Sequence, residues 1–123
     1  MLSIEKDARG FGVVVIDGRI TADEMRTGLD TFMAMLPEEG QMSFLYDVRE
    51  FAFPEMEAVA EKIRDLPTLF KALGRMKKIA MVADPAWLRT VAEVEGMLVP
   101  GLTIRSFEPK DRADAEAWLL SDD

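Results

Sequence analysis

The chain contains no cysteine and no histidine. The first absence removes disulfides and thiolate nucleophiles, and together they remove the zinc, haem and iron–sulfur sites built on those ligands. Histidine is the usual proton shuttle near neutral pH, so an enzyme of this sequence would depend on carboxylates, lysine, tyrosine or a hard metal ion. Positive charge is also scarce: fifteen Lys and Arg against twenty-three Asp and Glu leave a net charge of −8, which repels nucleic-acid phosphates and anionic lipid. No apolar run approaches the length that spans a bilayer, and Met1-Leu2-Ser3-Ile4-Glu5-Lys6-Asp7 lacks the basic start and apolar stretch of a signal peptide. The expectation is a cytoplasmic protein that binds no nucleic acid and has no transmembrane segment.

What is present is an ordinary globular balance, 49% hydrophobic and 31% charged, over a length that suits one core better than two. We therefore expect a single domain over residues 1–123. Leu2–Glu5 and Phe11–Asp17 read as a hairpin, the second strand carrying Val13-Val14-Val15-Ile16. Thr21 with Glu24 forms a capping box before a helix whose apolar face is Met25, Leu29, Phe32, Met33 and Leu36, ended by Pro37 and Gly40. Ser43–Val48 reads as a buried strand. Pro54 then opens a helix with Met56, Val59, Ile63 and Leu66 inward, broken at Pro67 and continued from Thr68 to Gly74. Lys78–Ala83 is the next buried strand, followed by a helix with Asp84 as N-cap, Pro85 first, and Leu88, Val91 and Val94 inward. Leu102–Phe107 and Pro109–Leu120 supply the last strand and helix, the latter anchored by Trp118 and Leu119.

The order is β-β-α-β-α-β-α-β-α. Helix-length crossovers make the strands from the second onward parallel, so the fold class is α/β: a mostly parallel five-stranded sheet with an antiparallel first strand and covering helices.

Four segments in this order carry a family resemblance: Val15-Ile16-Asp17-Gly18-Arg19-Ile20-Thr21, Leu45-Tyr46-Asp47-Val48-Arg49-Glu50-Phe51, Lys78-Ile79-Ala80-Met81-Val82-Ala83-Asp84 with Trp87, and Arg105-Ser106-Phe107 with Glu116-Ala117-Trp118-Leu119. Across nearly its whole length the chain resembles the SpoIIAA-like branch of the STAS superfamily, whose fold is related to the CRAL-TRIO lipid carriers. The resemblance implies a module that is often a dimer, with no established catalytic residues and with an apolar or lipid-like ligand as a reasonable proposal. STAS proteins that antagonise anti-sigma factors carry a phosphorylated serine at the start of the helix after the middle strand. Arg49–Val59 contains no serine, threonine or tyrosine, so that switch does not carry over.

Three readings of function follow. The first is a non-enzymatic module, expected as a homodimer, that holds a small apolar or amphipathic ligand between sheet and helices. Its contacts are Leu66, Leu69, Phe70, Leu73 and Met76, with Lys71 and Arg75 for an anionic head group; the piece between Pro67 and Gly74 would serve as a lid. The second is a protein-interaction module without ligand, using Phe51 and Phe53 at the Phe51–Pro54 loop, with Val99 in the apolar stretch Met97–Leu102 as a candidate dimer contact. The third places Mg²⁺ on Asp17, Asp47 and Asp84 near the carboxyl ends of the strands, with Lys77 or Lys78 beside them for phosphoryl transfer. Turn, ion-pair and cap roles explain those aspartates more simply, and no Gly-x-Ser-x-Gly elbow, P-loop or Gly-x-Gly-x-x-Gly pattern is present. No metal, cofactor or catalytic residue is expected.

Overall fold

The computed structural model describes residues 1–37, 39–51, 74–84, 86–97 and 101–121. Five strands form one sheet in sequential order: β1 (Leu2–Lys6), β2 (Gly12–Gly18), β3 (Met42–Phe51), β4 (Met76–Ala83) and β5 (Thr103–Phe107). β1 runs antiparallel to β2, and β2 to β5 are mutually parallel, as the crossovers require. Helix α1 (Ala22–Met35) joins β2 to β3, α2 (Ala86–Met97) joins β4 to β5, and a single 3-10 turn, Pro109–Asp111, leads into α3 (Arg112–Leu120). With sequential strand order, right-handed connections place α1 and α2 on one face of the sheet. The last helix is left to cover the other.

Alternation along the strands builds two cores. Val14, Phe44 and Ile79 point to the α1 face, where they pack with Phe32, Met42, Met76 and Leu102. Their neighbours Val13, Leu45 and Ala80 point the opposite way, against Ala115, Trp118 and Leu119 of α3. Phe44 and Leu45 are both fully buried, one in each core. β3 runs three residues beyond the expected Val48. After a register shift at Ile16/Asp17, Glu50 and Phe51 still pair with Asp17 and Gly18, so the backbone continues in the sheet although Arg49 and Glu50 are exposed.

α1 starts where the capping box places it. The Thr21 hydroxyl accepts from Glu24 N–H at 3.1 Å, and Glu24 Oε1 accepts from Thr21 N–H at 3.2 Å. The other oxygen, Oε2, accepts the Leu2 N–H at 3.0 Å, so one carboxylate ties helix start to edge strand. The hydrogen bond from the Thr21 backbone, helped by that from the Leu2 backbone and by the N-terminal charge, holds the Glu24 carboxyl below its ordinary pKa against the opposing effect of burial. Folding therefore favours the ionised form. Its contribution is present above the unfolded pKa, about 4.3 for glutamate, and is lost as pH falls through the lower folded value. Thr21→Ala is expected to cost about 1 kcal/mol in urea denaturation at pH 7. Glu24→Gln should flatten the acid limb of the stability–pH curve, and an unchanged limb would assign the acid sensitivity elsewhere.

On α2 the 3.6-residue period puts Val94 inward, but Val94 is 52% exposed and Ala92 is buried instead. The helix packs mainly over β5, the sheet margin, and only in part over β4, so its covered arc is narrower than that of a helix centred on a sheet. Two of its polar side chains serve the strands. Arg89 Nη1 donates to the carbonyls of Ala83 and Asp84 at 2.7 and 2.6 Å, and Glu93 Oε1 accepts the Ser106 N–H of the edge strand β5 at 3.3 Å.

α3 is fixed by two buried charged residues. Lys78, only 2% exposed, donates from Nζ to Trp118 O at 3.0 Å, Ser121 O at 2.8 Å and Ser121 Oγ at 3.2 Å. All three of its donors are used, two on carbonyls at the helix C-terminus and one on the Ser121 hydroxyl, and Trp118 O also accepts from Ser121 N–H and Oγ–H. Two cations stand near the Trp118 ring, Lys78 Nζ 5.2 Å and Arg105 Cζ 5.3 Å from its centroid. At the other end of the helix Arg112 Nη1 meets Asp47 Oδ2 at 2.6 Å.

Candidate binding site

Between α1 and the strands β1 to β3 the two layers do not close completely. Gly28, buried in the middle of α1, lies so close to β1 that a Cβ there would collide with Leu2 Cδ2. On the inner side of that contact is an apolar cavity of about 200 Å³. The strands contribute Val14, Ile16 and Tyr46, the helix contributes Leu29 and Phe32, and Ile20 and Met25 close the end near the start of α1. On the other side is a second space of about 310 Å³, with Asp23, Glu24, Thr27 and Thr31 along its helical wall. Leu2, Ile4 and Gly28 line both, so the Leu2–Gly28 contact is the partition between an inner and an outer lobe.

The inner lobe has one polar side chain, Tyr46. Its ring is partly buried, and burial pushes the phenol up to about 12, so the hydroxyl keeps its proton through the physiological range. No described residue hydrogen-bonds that hydroxyl. A space with apolar walls and one hydrogen-bonding group is the usual build of a small-molecule site. A dry cavity of about 150 Å³ lined by Leu, Ile and Phe already takes benzene, so the inner lobe is large enough for a ring.

None of the residues lining the two lobes is among those proposed from the sequence. Leu66 and the lid residues Leu69, Phe70, Lys71 and Leu73 lie outside the described residues, as do Phe53 and Val99 of the interaction reading. Phe51 ends β3 with its backbone paired to Gly18, and its side chain is also outside the described set. Arg75 is exposed in the turn before β4, where its carbonyl accepts from Met42 N–H at 2.8 Å. Met76 is 3% exposed in the core beneath α1. The sequence reading missed the crevice because its walls are ordinary stripe residues. The available signal was Gly28, a glycine inside an amphipathic helix, which marks a close backbone approach.

The three aspartates do not gather. Among the described residues no group of three carboxylates is spaced to hold a metal ion. Asp47, facing α3, is bridged by Arg112 and by Arg49 Nε at 3.2 Å. The bridge extends through Glu116, which accepts from Arg112 Nε at 3.2 Å and meets Arg9 Nη2 at 3.1 Å. Of the two lysines considered beside these aspartates, Lys78 is committed to the end of α3 and Lys77 is exposed.

A mixed sheet with one antiparallel edge, parallel strands in sequential order and helices on both faces defines a STAS-type α/β domain. The family model described as SpoIIAA-like matches residues 12–120, and the chain belongs to that family. It is similar in structure to an uncharacterized protein with a SpoIIAA-like fold from Shewanella loihica PV-4, with a TM-score of 0.73 at 17% identity, covering 97% of this chain and 92% of that one. At that identity the likeness shows the fold alone. No curated protein matches the chain. Among the described residues no helix is long and apolar enough to cross a membrane.

Proposed function

We propose that this chain is a single, non-enzymatic binding domain that holds a small apolar ligand in the crevice between α1 and the β1–β3 part of the sheet. The observation that carries the reading is the inner lobe: an apolar space of about 200 Å³ whose one polar side chain, Tyr46, has no hydrogen-bond partner among the described residues. The family supports a binding role through its fold, and the sequence supports it by lacking histidine, cysteine and nucleophile motifs. The ligand site differs from the one expected at residues 66–76, while its place between sheet and helix is the same.

Native mass spectrometry of the protein as purified tests the reading, since it reports retained small molecules and subunit count together. The expected result is an added mass that dissociates on collisional activation. Leu29→Trp fills the inner lobe with a larger apolar side chain. It should abolish the added mass, and binding of a fluorescent apolar probe, at a stability cost below about 2 kcal/mol. Probe binding unaffected by Leu29→Trp in a folded protein would overturn the site.

A further inference from the structure

We infer that the inner lobe selects a small uncharged ligand, apolar except for one carbonyl oxygen that accepts a hydrogen bond from the Tyr46 hydroxyl; this rests on the binding role proposed above. The state of that hydroxyl carries the inference. No described residue hydrogen-bonds it, although burial is strong enough to push the phenol up to about 12. Tyr46 still keeps accessible surface, and among the described residues no side-chain nitrogen or oxygen is both sealed off and unpartnered. A hydroxyl surrounded by protein yet not sealed opens onto a cavity, and the cavity that Tyr46 lines is the inner lobe. A donor left there without an acceptor carries a desolvation cost that a ligand oxygen would recover.

The rest of the wall sets the remaining chemistry. Every other side chain lining the inner lobe is aliphatic, aromatic or a thioether, with no Lys, Arg, Asp or Glu among them. A carboxylate or ammonium there would exchange its hydration for one hydroxyl, whereas a carbonyl needs only the one donor that is present. The outer lobe offers no charge for a ligand to satisfy: Glu24 lies 3.7 Å from the Met1 ammonium, Asp23 pairs with Arg26 at 3.1 Å, and the Leu2–Gly28 contact stands between the lobes. At about 200 Å³ the inner lobe exceeds the dry cavity of about 150 Å³ that takes benzene, so a ring with a short carbonyl substituent fits. Fatty acids, the natural first choice for an apolar pocket, are disfavoured by their charge alone.

The full-length protein is titrated at pH 7 with acetophenone, with its hydrocarbon isostere α-methylstyrene and with benzoate, and backbone amide shifts are followed by NMR. Carbon-13 at the tyrosine Cζ adds a single signal, because Tyr46 is the one tyrosine of the chain. Acetophenone and α-methylstyrene should both perturb Val14, Ile16 and Leu29, and acetophenone should move the Cζ signal further downfield as the phenol donates. Benzoate should bind at least about tenfold more weakly than acetophenone. Tyr46→Phe deletes one unpartnered oxygen, so its melting temperature should match that of the unaltered protein, while the ketone-to-hydrocarbon affinity ratio falls about three- to tenfold. An unchanged ratio in folded Tyr46→Phe, with the lobe perturbed by both compounds, overturns the inference, since water then serves the hydroxyl, and leaves the site standing. Benzoate bound in the lobe as tightly as acetophenone overturns it equally. No perturbation of the lobe by any of the three compounds, or shifts retained in full by Leu29→Trp, removes the inference and the proposed site together.

Discussion

Lys78→Met is expected to lower stability by about 2–4 kcal/mol, which for a domain of this size is a fall in melting temperature of roughly 10 °C. Methionine matches the length and apolar stem of lysine, so packing changes little. What is lost is a donor set serving Trp118 O, Ser121 O and Ser121 Oγ. Ser121 O then loses its partner at about 1–3 kcal/mol, and Trp118 O, which keeps the Ser121 N–H and hydroxyl, loses a charge-assisted bond worth about 1 kcal/mol more, offset by no longer having to bury an amine. Ser121→Ala removes one acceptor of Lys78 and the hydroxyl donor to Trp118 O, and should cost about 1 kcal/mol. Urea denaturation measures both, and Trp118 fluorescence reports the same site because Lys78 Nζ stands 5.2 Å from its ring. A loss below about 1 kcal/mol for Lys78→Met would mean that water caps the helix instead.

Gly12→Ala should be nearly as costly, about 2–3 kcal/mol, for the opposite reason. A Cβ at residue 12 would sit 2.5 Å from two atoms of the Phe44 ring and 3.1 Å from Met35 Sδ. The methionine can yield. The ring cannot, because Phe44 is fully buried and packs on Phe32 at 4.8 Å between centroids. Phe44→Leu removes the rigid obstacle, so the double variant Gly12→Ala/Phe44→Leu should cost less than the sum of the single changes by at least about 1 kcal/mol, a coupling expected only of touching residues. Strict additivity would show that β2 shifts away from β3 rather than pressing on the ring.

The regular parts of this fold could be read from the sequence because they are set locally. The valine run of β2, the Thr21/Glu24 box and the Trp118–Leu119 anchor each declare an element within a few residues, and the element order then dictates the parallel sheet. What could not be read depends on where distant segments meet. Lys78 looks like a surface lysine at the start of a strand. Its burial is made possible by Trp118 and Ser121, forty and more residues on. Asp47 reads as a possible metal ligand or, more simply, as an ion-pair or capping residue, and Arg112, from the far end of the chain, decides for the ion pair. The crevice depends on Gly28 meeting Leu2, a juxtaposition that no periodicity encodes. Helical spacing likewise cannot tell that α2 lies at the sheet margin, which is why Val94 faces solvent.

Both margins of the sheet carry a glutamate on an edge N–H, Glu24 on Leu2 of β1 and Glu93 on Ser106 of β5. Edge strands are templates for amyloid-like growth, and an outward hydrogen-bonding group that is already occupied gives an incoming strand less to pair with. A sixth strand would have to expel a carboxylate on whichever side it approached. Resistance to runaway cross-β stacking in this protein is thus carried at these positions by helix side chains, and it would survive substitutions in the strands that leave α1 and α2 in place.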